Sequence, residues 1–363
     1  MSDLNFKPIL KLSPFAYYVT ECDLRLFGSE KKPLAISGLV NQIVLNYCKD
    51  SETVRRTSEK ITEKELENLF RRMGIKLTRS NLISFRNSSQ ISINKYTYPP
   101  NPIETKRLYL NVKVQDILQT YMEDESYIAL QHIYSRGDKF STAVFISALV
   151  EEYANLPMYK REAIFYSDIM NIAAESIKRN NYGDTCYLSI VTKKNKKIKM
   201  YAVEILLDEW STFNYIIGIG VYDPVKGETP ISIRISNIQK IEIVSSEKIP
   251  VIHNSQMIDE LYRRIESHGV MFLGSPKNED ETIKIRLTAE GFNLYNTMVF
   301  MRPRYKSIKK SDNGDYVMTF SCTQWQILNY FKKMGKDAEI IEPIQLRERF
   351  AEFFKSANEL YNN

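Results

Sequence analysis

Apolar and polar positions alternate without interruption through KRLYLNVK and the following Val114. Leu108, Leu110, Val112 and Val114 share one parity, and Arg107, Tyr109, Asn111 and Lys113 share the other. A β-strand sends successive side chains to opposite faces, so the pattern predicts a strand with one apolar and one polar face. The polar face holds two cations, a phenol and an amide, and no carboxylate. Water can cover such a face. So can a nucleic acid, where Arg, Lys and Asn contact phosphates and base edges.

Other periods flank this one. Tyr17 to Phe27, YYVTECDLRLF, reads as a strand. Residues 33–48 read as a helix, with Ile36, Leu39, Val40, Ile43 and Tyr47 at helical spacing and Ser37 near its start. Ser58 to Met73 predicts a charged amphipathic helix ending at Gly74. Residues 87–105, with Pro99, Pro100 and Pro102, predict a linker or surface loop. A helix is expected from about Gln115. Another begins near Ser141, with the stripe Val144, Phe145, Ala148, Leu149 and Tyr153, and closes at Pro157. A third, over residues 158–179, is expected to lead to the next domain. A strand followed by a helix ending in tyrosine thus occurs twice, around Tyr47 and Tyr153, with few identities.

From Tyr187 to Val244 the texture changes to five short β-runs: YLSIV, IKMYAVEILL, FNYIIGIGVY, ISIRI and IQKIEIV. Turn residues separate them, which predicts a small antiparallel barrel of the SH3 or Sm kind. Beyond Thr282 the order is strand, helix, strand, strand, helix, strand, then a last helix opened by Pro343. Thr288 and Thr323 are the expected helix caps and Asn313-Gly314 the hairpin turn. This is the split βαβ, or ferredoxin-like, arrangement. The expected class is therefore an α+β multidomain protein. Its parts are an N-terminal domain over 1–157, a connecting helix over 158–182, the barrel over 183–250 and a C-terminal domain over 251–363.

Composition adds bounds. A chain of 363 residues predicts two or three domains. Cys22, Cys48, Cys186 and Cys322 lie far apart, which predicts free thiols and a cytoplasmic location. The start MSDLNFKPILKL has no apolar run typical of a signal peptide. No stretch approaches the roughly 20 apolar residues of a membrane span, so no membrane partner is expected.

The search for catalytic chemistry finds little. His132, His253 and His268 have no metal-ligand spacing to each other or to a cysteine. Gly218-Ile219-Gly220 lies inside a β-run and reads as a strand needing close packing. Glu151 and Glu152 read as a solvated helix face. No phosphate loop or nucleophile elbow occurs. No catalytic residue, metal or cofactor is predicted, and the chain is not expected to be an enzyme.

Charge points elsewhere. The net charge is +6, concentrated in KKNKKIK (Lys193 to Lys199) and RPRYKSIKK (Arg302 to Lys310). Either tract alone can be a solvated hairpin. Together with the cationic strand face they predict a polyanion partner, since each neutralised phosphate releases counterions.

These residues resemble a known family. NYIIG (Asn214 to Gly218) and IRISNI (Ile233 to Ile238) are similar to the WYL domain, with Tyr215 and Arg234 matching. Asn214, Asn237 and Ile205 depart from the family's Trp, Arg and Pro. MGKDAEIIEPIQLRERF resembles the extension that follows WYL domains. The N-terminal segment resembles a ribbon-helix-helix module, in which a strand pairs across a homodimer. The layout RLYLNVK, FISALVEEYANLP, KREAIFY is similar to the WYL accessory proteins of type VI-D, RNA-targeting CRISPR systems.

That resemblance implies a single-stranded RNA-binding protein that stimulates an RNA-guided effector nuclease. Arg234 would clamp a phosphate. Tyr215 would be either a stacking platform or barrel core. Lys193, Lys194, Lys196, Lys197, Arg302, Arg304 and Lys306 would form the electrostatic track. One rival is a transcription regulator binding duplex DNA through Arg107, Tyr109, Asn111 and Lys113. The other is a ligand sensor or scaffold that binds no nucleic acid.

Overall fold

Ser13 and Pro14 start a helix where the sequence suggested a strand. In the computed structural model α1 spans Pro14–Phe27, and the Ser13 hydroxyl accepts from the Ala16 N–H. Pro14 lacks an N–H that the first turn would leave unsatisfied anyway. Ala16, Val19, Thr20, Asp23 and Phe27 are its buried residues. Two of these five are polar, so the helical stripe is hidden among aromatic and β-branched neighbours that favour a strand.

The structure describes residues 7–28, 34–54, 101–127, 130–131, 134–136, 139–208, 211–221, 227–245, 255–273 and 282–361. The helix expected over Ser58 to Met73 and most of the loop expected over 87–105 lie outside them. The chain divides into two compact units, Met1–Ser167 and Asp168–Asn363.

The first unit continues with α2 (Ile36–Tyr47), α3 (Val112–Glu123), α4 (Thr142–Ala154) and α5 (Met158–Phe165). Helix α6 (Ser167–Asn181) follows, so the single connecting helix expected over 158–179 is two, parted at Tyr166. Among its described residues the first unit has two short strand pairs. One joins β1 (Lys11–Leu12) to β2 (Ile103–Glu104); the other joins β3 (Ser135–Arg136) to β4 (Lys139–Phe140). Leu39, Ile43, Leu118, Phe145, Leu149 and Tyr153 are among the residues of one shared core.

No residue of KRLYLNVK lies in a strand: β2 ends at Glu104, and α3 begins at Val112. Leu108 and Leu110 are buried, as the alternation requires, but Val112 is 72% exposed because α3 begins there. Asn111 is the cap of α3 and accepts the Val114 N–H at 2.9 Å. The extended part runs beside the chain's own N-terminal segment. The N–H groups of Leu108 and Thr105 donate to the carbonyls of Pro8 and Leu10. The Asn41 and Ser37 side chains bond the Tyr109 and Asn111 backbone. Part of the edge expected to pair across a dimer is therefore bonded within one chain.

The acidic pair on α4 is not a solvated face. Glu151 is buried and accepts from the Ser13 N–H (2.5 Å) and hydroxyl (2.8 Å) at the start of α1. Glu152 accepts from the Tyr47 hydroxyl and from the N–H groups of Glu52 and Thr53. Carboxylates at such backbone donors make strong charge-assisted bonds. Sequence spacing on α4 cannot show that other segments arrive with donors.

In the second unit, β5 (Cys186–Thr192), β6 (Lys197–Asp208), β7 (Phe213–Val221), β8 (Thr229–Arg234) and β9 (Ile238–Ser245) coincide with the five predicted runs. They form one antiparallel sheet in the order β8-β7-β6-β5-β9. A short 3₁₀ turn, Ile235–Asn237, joins β8 to β9. Helix α6 packs here: Asn180 donates to the Ala202 carbonyl and accepts the Cys186 N–H. Helix α7 (Ser255–His268) brings Leu261 against Tyr215, Ile217 and Ile219.

The remaining elements are β10 (Thr282–Leu287), α8 (Ala289–Thr297), β11 (Tyr305–Lys310), β12 (Tyr316–Ser321), α9 (Gln324–Phe331), β13 (Ala338–Glu342) and α10 (Ile344–Glu359). All pairings are antiparallel, in the order β11-β12-β10-β13. Thr288 and Thr323 cap α8 and α9 as the sequence predicts. Gly314 takes a positive φ of 92° in the β11–β12 turn.

Burial of thiols gives the fold a pH dependence. Burial pushes the Cys48 and Cys322 thiols up to about 12. The unfolded chain releases these protons near pH 8.5, while the folded chain keeps them. The stability they contribute is complete below that pH and falls as pH rises towards 12. Each group gives a slope of about 1.4 kcal/mol per pH unit in that window. Thermal melting from pH 7 to 11 should show Tm falling above about pH 8.5. A flat profile to pH 10 would overturn this account.

Candidate nucleic-acid interface

The KKNKKIK tract is the turn between β5 and β6. Asn195 adopts a left-handed φ of 59°, which asparagine tolerates better than most residues. Lys194, Lys196 and Lys197 are exposed and Lys193 is half-buried. The Lys193 N–H donates to the Asn237 carbonyl at 2.8 Å. That bond ties the lysine turn to the 3₁₀ turn that begins directly after Arg234. At a 3₁₀ rise of 2 Å per residue, Arg234 is about 6 Å along the chain from it. The 3₁₀ turn thus links two cationic stretches that strand pairing sets towards opposite ends of β6: Lys197 begins that strand, and Arg234 pairs with Tyr215, beside Leu206 near its other end.

Arg234 is held in place. It pairs with Tyr215 across β7 and β8, which sets it diagonal to Phe213 on the same face. Its guanidinium carbon sits 3.3 Å from the Phe213 ring centroid, and its Nε donates to the Ser236 hydroxyl. A planar guanidinium stacked on a ring loses less freedom when it takes up a phosphate. Sequence reasoning missed Phe213 and Ser236, whose roles emerge only from strand register and the turn.

Tyr215 is not a stacking platform here. It is 5% exposed and belongs to the core beneath α7, with Ser211 Oγ 3.5 Å from its hydroxyl. Strand β7 is buried on both faces, so its alternation marks no open side.

The second tract divides. Arg302 donates to the carbonyls of Tyr295 (3.4 Å) and Asn296 (3.2 Å) near the end of α8. Arg304 donates to the Glu266 carbonyl near the end of α7. Both are cations at helix C-termini, where carbonyls lack partners. Lys306 lies on β11, an edge strand whose six residues are all exposed. Lysines on an edge also discourage strand pairing with other chains.

In the first unit Arg107, Tyr109 and Lys113 are exposed, and the Lys7 ammonium lies 5.7 Å from the Tyr109 ring centroid. Asn111 faces solvent, but its carbonyl oxygen is engaged as a helix cap. Among the described residues, no group of three His, Cys, Asp or Glu side chains is placed to hold a metal ion. No helix among them is long and apolar enough to cross a membrane.

No protein-family model matches the chain, and no curated protein matches it. Among solved structures, it shares its fold with one described as "Crystal structure of a CRISPR Cas-related protein". The TM-score is 0.70 with 19% identity, over 98% of this chain and 94% of that one. The proteasome accessory factor B/C (PafBC) of Arthrobacter aurescens overlaps 82% of this chain and 46% of its own, at 13% identity. Its TM-score of 0.28 is too low to argue from.

Proposed function

We propose that this chain is a non-catalytic, cytoplasmic protein that binds single-stranded RNA and assists an RNA-guided, CRISPR-type effector ribonuclease. The five-stranded sheet is read as a WYL-type, Sm-like barrel, and the C-terminal sheet as the WYL extension. The observation that carries the proposal is the tether between Lys193 and Asn237, which fixes the turn bearing Lys194, Lys196 and Lys197 against the 3₁₀ turn that follows the held Arg234. The fold shared over nearly the whole chain with a CRISPR Cas-related protein supports the biological setting. The likeness to type VI-D accessory proteins supports RNA as the ligand.

Fluorescence anisotropy with labelled single-stranded RNA and duplex DNA, at several salt concentrations, tests it. RNA should bind more tightly than duplex. Replacing Lys194, Lys196 and Lys197 by alanine should lower the salt slope by roughly 2, at about 0.7 per lost phosphate contact. Arg234→Ala should weaken RNA binding at every salt concentration. Equal RNA binding by all these variants would refute the site.

A second reading has its own observation. Lys7, Arg107, Tyr109 and Lys113 form an exposed cationic surface in the first unit. It could take duplex DNA, as in a transcription regulator. Tight duplex binding that is lost in Arg107→Ala with Lys113→Ala, and untouched by Arg234→Ala, would favour it. Asn111→Ala is a poor probe, because losing the α3 cap costs about 1 kcal/mol of stability. Absence of binding to either probe at low salt would leave a sensor or scaffold.

A further inference from the structure

The C-terminal sheet carries an exposed aromatic and cationic surface that neither basic tract accounts for. Trp325, Asn329, Lys332 and Lys333 follow one another at i, i+4, i+7 and i+8 along α9 and the turn after it, which sets them on one face. Trp325 is 52% exposed at the start of the helix. At the other end Lys333 lies 5.5 Å from the ring centroid of Phe300, itself 50% exposed. Beside it Lys332 lies 4.1 Å from the ring centroid of Phe353, 41% exposed. None of these six residues is a carboxylate. Phe300 is two residues from Arg302, so the surface continues into the RPRYKSIKK tract.

Three large rings half in water are an unfavourable arrangement for a surface with no partner. A second copy of the same face would set lysine against lysine. An apolar partner would have to desolvate the same ammonium groups. A chain that offers phosphates to the lysines and flat rings to the aromatics satisfies both. Unpaired bases have exposed faces for stacking, whereas bases within a duplex do not.

We infer that the outer face of α9 is a stacking platform for the unpaired bases of single-stranded nucleic acid, with Trp325 as its principal ring. The inference rests on the RNA-binding reading and adds a second contact to it, away from the lysine turn of the five-stranded sheet. Trp325 would stack, Phe300 and Phe353 would extend the apolar surface, and Lys332 and Lys333 would meet the backbone.

The full chain carries two tryptophans, so Trp210→Phe leaves Trp325 as the sole indole reporter. Adding single-stranded RNA should quench its emission, and adding duplex DNA should not. Trp325→Ala should weaken RNA binding by roughly 5- to 150-fold, the range expected for one lost base stack. Its salt slope should stay unchanged, because no charge is removed. Trp325→Phe should recover most of the affinity, and Lys333→Ala should lower the salt slope by about 0.7.

RNA binding with unchanged Trp325 emission and unchanged Trp325→Ala affinity would overturn the platform and leave the lysine turn as the RNA site. Self-association that Trp325→Ala abolishes, without any change in RNA affinity, would overturn it in favour of a protein interface. Failure of the Trp210→Phe chain and the parent to bind RNA at low salt would overturn both readings together.

Discussion

Asp23→Ala should cost about 3–5 kcal/mol of stability, as expected when one partner of a buried ion pair is removed. Asp23 has no exposed surface. Its Oδ2 accepts from the Tyr153 hydroxyl at 2.8 Å and from the Arg161 Nε at 2.8 Å. Arg161 also donates to the Leu156 carbonyl just past α4. Three helices, α1, α4 and α5, thus meet at one carboxylate. Removing it strands a guanidinium that is only 12% exposed and a phenol that burial keeps protonated. Urea denaturation of the parent and Asp23→Ala chains measures the loss. Replacing the set together, by Asp23→Leu, Arg161→Met and Tyr153→Phe, should cost less than Asp23→Ala alone, because no charge is left unpaired. A loss under about 1 kcal/mol for Asp23→Ala would show that the network is solvated.

Gly218→Ala should be comparably severe, at about 3 kcal/mol or more. A Cβ built on Gly218 meets the backbone carbonyl oxygen of Tyr201 on the neighbouring strand. Backbone cannot move aside as a flexible side-chain end can. The pairing of β6 with β7 shifts register between Ala202 and Glu204, directly beside this contact. Gly183→Ala is the control. Gly183 has a φ of +84° with nothing within 4 Å of an added Cβ, so it meets only left-handed strain of about 1–2 kcal/mol. Thermal melting of the two variants separates them. Equal stabilities would mean that β6 and β7 can part without cost. The result matters for the interface, because β7 carries Phe213, on which Arg234 rests.

Local signals were legible wherever the chain's neighbours in sequence are also its neighbours in space. The five β-runs, the Thr288 and Thr323 caps and the turn at Gly314 are of this kind. So is the close packing at Gly218, read from a GxG inside a β-run. Each follows from alternation, a side-chain oxygen at a helix start, or the freedom of glycine, and none depends on distant segments.

Tertiary structure decided what each face touches. Tyr17 to Phe27 became a helix because Ser13 and Pro14 start one and because Asp23 has a buried partner 138 residues away in Arg161. Glu151 and Glu152 became anchors because other segments bring N–H groups to them. Tyr215 became core because α7, arriving from beyond residue 250, covers its face. Arg302 and Arg304 turned to helix ends that no spacing within their own tract could reveal. For the interface, sequence determined the charges, their clustering at Lys193 to Lys199, and Arg234 as a cation on a strand. Only the folded chain set that cluster against the turn that follows Arg234, because the Lys193–Asn237 bond joins the β5–β6 turn to the β8–β9 turn. Periodicity records which side chains share a face, and long-range packing settles whether that face meets water, backbone or another helix.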